Sequence, residues 1–201
     1  MNPSAASAPQ PAGEARREQL LDVALTVFAR HGYRKTSMDD IAQAAGVSRQ
    51  GLYLHFETKE DLFRAAVHHS IRKAQVAVAA ALAAPGESIE QRLVSAFDEW
   101  VGHRYEAVGD DVDDLVSPCQ RLLGPELQTE KRAFARRIAA AIEDEGLTAA
   151  HERNHISSKD LAQTLCAAAY GLKQIQPTRP AFVAAMRTAI RAFCLPLKAH
   201  R

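Results

Sequence analysis

The feature that most restricts how this chain can fold is a pair of short helical patterns joined across one glycine. Ser37-Met38-Asp39-Asp40 reads as a capping box, a hydroxyl answered by an acid three residues on, and Met38, Ile41, Ala42 and Ala45 repeat on one helical face. Gly46 stops that helix. After Val47, Ser48 can cap a further helix running to about Phe56. Upstream, Leu21, Ala24, Leu25 and Phe28 mark one face of a helix from Glu14 to His31, closed by Gly32. The lengths and the turn fit a helix-turn-helix behind a bracing first helix.

Helical periodicity continues beyond it. Thr58-Lys59-Glu60-Asp61 is another capping-box-like start, and the helix it opens is predicted to run to Pro85-Gly86, roughly 26 residues or about 39 Å. Further helices are expected from Ser88, capped with Gln91, to about Ala107; from Pro125 to about Glu145; from Ser158 to about Gln174; and from Pro180 to about Ala199, with Pro196 placed to kink or end the last. Strand-type alternation is scarce, aromatic residues are only 6% of the chain, and 47% of its 201 residues are apolar, so the expectation is an all-α protein with a real core. Residues 1–13, rich in Pro, Ala and Ser, read as a disordered tail, 14–74 as the helix-turn-helix domain and 75–201 as a second helical domain.

A net charge of +1 neither demands nor excludes a polyanionic partner, so any such claim must rest on where charges lie. Cys119, Cys166 and Cys194 are widely spaced without a Cys-x-x-Cys pair, which suits reduced thiols in a cytoplasmic protein, used as small core residues. No apolar run approaches the ~20 residues that span a bilayer, and the start lacks the basic and apolar stretches of a signal peptide. The expected location is cytoplasmic, with no membrane contact.

Residues 18 to 65 carry an apolar first helix, Gly32-Tyr33, Thr36-Ser37, Ile41-Ala42, Ala45-Gly46-Val47-Ser48, Leu52-Tyr53, His55-Phe56 and Lys59-Glu60 in unbroken order. This stretch resembles the N-terminal domain of the TetR family of transcriptional regulators. One departure is Gln50-Gly51, where many relatives carry Gly or Pro followed by a small residue; a glycine inside a helix costs roughly 1 kcal/mol against alanine. The resemblance implies a homodimer that binds a palindromic double-stranded operator and responds to a small-molecule effector held by residues 75–201, most simply as a repressor released by that effector. No cofactor is implied.

The residue chemistry agrees with this independently. A recognition helix needs an apolar face for its own domain, here Val47, Leu52 and Phe56, and a polar face able to enter the major groove. Ser48, Arg49, Gln50 and Tyr53 lie on the latter; Arg49 suits guanine O6/N7 and Gln50 suits adenine N6/N7, so these two are the candidates for sequence readout. Ser37, Tyr53, His55 and Lys59 resemble the family's phosphate contacts, and Arg34 and Lys35 lie just upstream to extend the grip. Acids and bases balance between residues 14 and 64, so affinity is expected from a focused, salt-sensitive patch.

Enzymatic readings find little support. His151-Glu152-Arg153-Asn154-His155 matches the His-Glu-x-x-His signature of zinc hydrolases, but it falls between Gly146 and the cap at Ser157-Ser158 rather than on a predicted helix, and no Asp or Glu follows Asp160 as a third ligand. A helical adaptor without sequence-specific DNA binding is the other alternative. The acidic run Gly109–Asp114 lacks a calcium-loop pattern and reads as a solvated helix start. No catalytic or metal site is therefore assigned. In the second domain Phe97, Trp100, Tyr105, Phe134 and Tyr170 are the candidate lining of an effector pocket, with Tyr170 offering both an apolar body and a polar tip. Small residues of the last two helices, among them Ala162, Cys166, Ala167, Gly171, Ala184 and Ala185, suit close helix packing across a dimer axis.

Overall fold

A computed structural model describes residues 11–105, 113–147 and 155–198, and its regular elements are all helices. They are α1 (Pro11–His31), α2 (Met38–Ala44), α3 (Arg49–Tyr53), α4 (Lys59–Leu82), α5 (Ile89–Trp100), α6 (Asp113–Asp144), α7 (Ser158–Ile175) and α8 (Arg179–Lys198), with a short 3-10 turn at Gly102–Tyr105 between α5 and α6. The all-α expectation holds among the described residues.

The chain divides into two compact units, one comprising Met1–Ile71 with Ala107–Leu122 and the other Arg72–Glu106 with Leu123–Arg201. In the first, α1 to α4 bury Leu21, Phe28, Ile41, Leu52, Leu62 and Phe63 completely. Three rings form its centre: Phe63 meets Phe28 edge-on at 5.1 Å between centroids and Tyr33 at 4.9 Å, while Phe28 and Tyr33 stack at 5.6 Å. Such offset and edge-on pairs add directional attraction to the area they remove from water.

The turn between α2 and α3 follows from its residues. Gly46 takes φ +65°, a left-handed conformation that a Cβ would strain, and the chain reverses as the Val47 amide donates to the Ala42 carbonyl at 3.0 Å. The expected capping boxes form at Ser37/Asp40, Thr58/Asp61 and Ser88/Gln91, and another forms at Ser157/Asp160. Hydrogen bonds from the Ser37 hydroxyl and then its amide hold the Asp40 carboxyl below its ordinary pKa, so this cap is complete above the usual carboxylate range and is lost as acid protonates Asp40.

In the second unit α8 packs against α5 and α7 around fully buried Phe97, Phe182, Ile138 and Leu165. Cys166 is buried there and its thiol is pushed up to about 11 by desolvation, as suits a packing residue; Cys119 is half-buried, and the side chain of Cys194 lies outside the described residues.

Several helix boundaries differ from expectation. α1 begins at Pro11, not Glu14; a proline is tolerated in a first turn, where its missing N–H has no partner to lose. α5 stops at Trp100 rather than near Ala107, and just beyond it Gly102 passes so close to Asp98 that a Cβ there would sit 2.0 Å from Oδ1. Asp98 cannot simply swing aside, since Arg179 grips both its oxygens at 2.9 and 3.1 Å. A Gly102→Ala variant is therefore expected to lose about 1–3 kcal/mol of stability, read as a lower urea midpoint. An unchanged midpoint would show that the Asp98–Arg179 pair yields freely.

α6 is the largest correction. It starts at Asp113 and runs through Pro118 and Pro125, whereas the sequence placed its start at Pro125. An interior proline forfeits a hydrogen bond to the residue four back, a penalty of about 3 kcal/mol. Burial of Pro118 and Leu123 and the ion pair from Arg121 to Glu60, at 2.9 Å, are the tertiary contacts that offset it. α8 likewise continues past Pro196 to Lys198.

Candidate nucleic-acid interface

α3 is held by one side and leaves the other open. Leu52 is fully buried and Phe56, just beyond the helix, is nearly so, with the Arg17 guanidinium over its ring at 5.5 Å. Ser48 caps the helix by accepting the Gly51 amide at 3.0 Å. The departure at Gly51 has a local reason: a Cβ there would press on the Ser48 hydroxyl at 3.1 Å, tighter than an ordinary contact. Ser48, Arg49, Gln50, Tyr53 and His55 are all exposed, Tyr53 at 41%. The predicted readers therefore share the free surface of one short helix and its exit.

Two of these side chains are already engaged. Arg49 Nη1 donates to Asp39 Oδ2 at 2.8 Å, and its guanidinium lies over the Tyr53 ring at 5.6 Å. Sequence reasoning missed Asp39 as a partner because ten residues and a turn separate the pair, a spacing with no helical signature. Leu54, 80% exposed beside Tyr53, was also not singled out; no periodic pattern marks a lone apolar residue at a helix exit.

The expected phosphate contacts differ in how free they are. The Ser37 hydroxyl donates to Asp40 Oδ2 at 2.7 Å and accepts the Asp40 amide, so capping occupies it, although the residue is exposed. Lys59 is half-buried: its ammonium donates to the carbonyls of Tyr33 and Thr36, both at 3.0 Å, and sits 4.6 Å from the Tyr33 ring centroid. One of its three N–H donors remains for a phosphate. Lys59 thus stitches the α1–α2 loop to the start of α4. A Lys59→Met variant is expected to lose about 1–3 kcal/mol of stability, lowering the melting temperature by several degrees. An unchanged melt would reduce Lys59 to an electrostatic contact. Arg34 and Lys35 are exposed on the same loop.

In the second unit, the candidate effector residues pack against one another. Trp100 stacks on Phe134 at 4.9 Å and 10°, Phe97 meets Phe134 edge-on at 5.2 Å, and the Trp100 indole N–H donates to the Tyr170 hydroxyl at 3.1 Å. The Lys131 ammonium lies 5.1 Å from the Tyr170 ring centroid. Between Trp100, Phe134, Val78, Gln75, Glu130 and Arg137 only about 10 Å³ is left open, room for no more than one water. The Tyr105 side chain lies outside the described residues. Of the zinc-hydrolase signature, His151 and Glu152 are likewise outside them, and His155 is exposed at φ 57°. Among the described residues no three His, Cys, Asp or Glu side chains group as a metal site, and no helix is long and apolar enough to cross a membrane.

Residues 20–66, which contain α2, α3 and the start of α4, match the family described as bacterial regulatory proteins, tetR family. The match is confined to this segment, under a quarter of the chain. The segment is similar to the HTH-type transcriptional regulator AcrR of Shigella flexneri, 51% identical over 47 residues, which are 23% of this chain and 22% of AcrR. A longer match, 35% identical over 124 residues, joins 58% of this chain to 60% of the HTH-type transcriptional repressor KstR2 of Rhodococcus jostii. The chain thus spans about a fifth of one relative's length and three fifths of the other's. The likeness of fold extends further than the sequence match: a putative TetR-family transcriptional regulator from Rhodococcus sp. superposes with a TM-score of 0.65 over 90% of this chain and 98% of its own, at 21% identity.

Proposed function

We propose that this chain is a transcriptional regulator that binds a two-fold symmetric operator as a homodimer and loses its grip when a small molecule enters the second unit. The observation that carries this reading is α3: a tetR-type helix, anchored by Leu52 and presenting Arg49, Gln50 and Tyr53 on its exposed face. Arg49 and Gln50 provide the paired donors and acceptors that distinguish guanine and adenine in the major groove, and Tyr53, His55 and Lys59 address the flanking phosphates. Repression is the sign named for KstR2 and is the one proposed here. A cytoplasmic location goes with it.

Two copies would place their reading helices about one DNA turn apart, roughly 34 Å. The exposed small residues Ala167, Gly171 and Ala184 of α7 and α8 suit the close packing of such a pairing. α4 offers the route for a signal, being continuous from Lys59 beside the reading helix through the unit boundary at Ile71. An effector preferring a state in which α4 is displaced would lower operator affinity by about 5- to 150-fold, the usual range of such coupling.

Selection of bound sequences from a random duplex pool at fixed salt tests the reading. Recovery of a palindrome, with affinity falling steeply as salt rises, is expected. Weak salt-sensitive binding without enrichment would replace operator recognition by a scaffold role for the helix-turn-helix.

A further inference from the structure

The Asp39 carboxylate is an unexpected neighbour for a helix that is to approach a polyanion. It is exposed, stands in the first turn of α2, and is the acceptor for Arg49 Nη1 at 2.8 Å. On its other side the Arg49 guanidinium lies over the Tyr53 ring, one turn further along α3, at 5.6 Å. The arginine is 64% exposed yet held from two directions by side chains on two different helices. A free arginine samples many rotamers, and fixing it on binding costs entropy.

We infer that Asp39 is a positioning residue for base recognition: it holds Arg49 in the conformation in which its remaining donors face the groove. The inference rests on the operator reading above. Its chemistry is consistent, because a guanidinium carries five N–H donors, the contact to Asp39 uses one, and reading guanine O6 and N7 needs two. Gripping and reading can therefore coexist on one side chain. The same carboxylate repels DNA phosphates, so its effects on affinity and on discrimination have opposite signs, which makes the role separable from simple charge.

The test compares binding of the full chain to duplexes that differ only at the base pair whose preference Arg49→Ala removes. Wild type, Asp39→Ala, Asp39→Asn and the Asp39→Ala, Arg49→Ala double variant are measured at one salt concentration. Discrimination at that base pair is expected to fall roughly threefold to fivefold in both Asp39 variants, with other positions unchanged, while the double variant loses no more than Arg49→Ala alone. A general loss of stability would instead weaken all duplexes alike. Unchanged discrimination, or a uniform rise in affinity for every duplex, would overturn the inference and leave Asp39 as a repelling charge. A wild-type chain with no base preference would overturn the operator reading as well, whereas a preference that keeps its full wild-type size in both Asp39 variants overturns this inference alone.

Discussion

An Arg49→Ala, Gln50→Ala double variant is expected to keep its fold and to lose base preference where the two side chains read. The losses should reach about 1–3 kcal/mol for each bidentate contact, or roughly 5- to 150-fold per position. The fold should survive because both residues are exposed, Leu52 and Phe56 are untouched, and alanine is a better helix former than either. Removing Arg49 also frees Asp39 and uncovers Tyr53, neither of which is buried. Titrations against an operator and its single-base variants at fixed salt measure the effect. A double variant with intact preference would move sequence reading away from the start of α3.

Truncating Phe63 should act at a different level. Its side chain is wholly buried and joins Phe28 and Tyr33 in the only cluster of three rings described in the first unit, so Phe63→Ala is expected to cost about 3–5 kcal/mol. That approaches the whole stability of a unit this size, at ~0.05–0.15 kcal/mol per residue. Urea titration should show an early transition of this unit with loss of DNA binding, while most helical signal persists to a later one. Phe63→Leu, which keeps much of the volume, should fall between. A loss below about 1 kcal/mol would mean that the remaining rings collapse into the space.

How much of this was legible in the sequence depended on how local its causes were. Ser37, Gly46 and Ser48 act within one turn of themselves, and the caps and left-handed glycine stand where the residues put them. The segment containing α1 to α3 was also legible by its resemblance. Long-range causes were not. Proline punctuation suggested a start at Pro125, but burial of Leu123 and the Arg121–Glu60 pair, 61 residues apart, support a helix from Asp113. The tight packing of Gly102 on Asp98, which Arg179 holds from 81 residues away, was equally illegible. The exposed face of α3 was legible from the apolar positions that anchor the helix, yet the commitments of Arg49 to Asp39, and of Lys59 to two carbonyls, had no sequence signal because they depend on how the turns fold.

The filled space around Trp100 and Phe134 has a kinetic consequence. An effector of the proposed kind cannot fit the roughly 10 Å³ beside the indole and the phenyl ring, so one of those rings would have to move before it entered this gap. Each compound would then meet the same opening step. Observed association rates for chemically different effectors should level off at one shared ceiling as concentration rises, and measured affinities should be weaker than intrinsic ones by the fraction of time the gap stands open. Substituting a smaller side chain at Trp100 would raise that ceiling for all of them together.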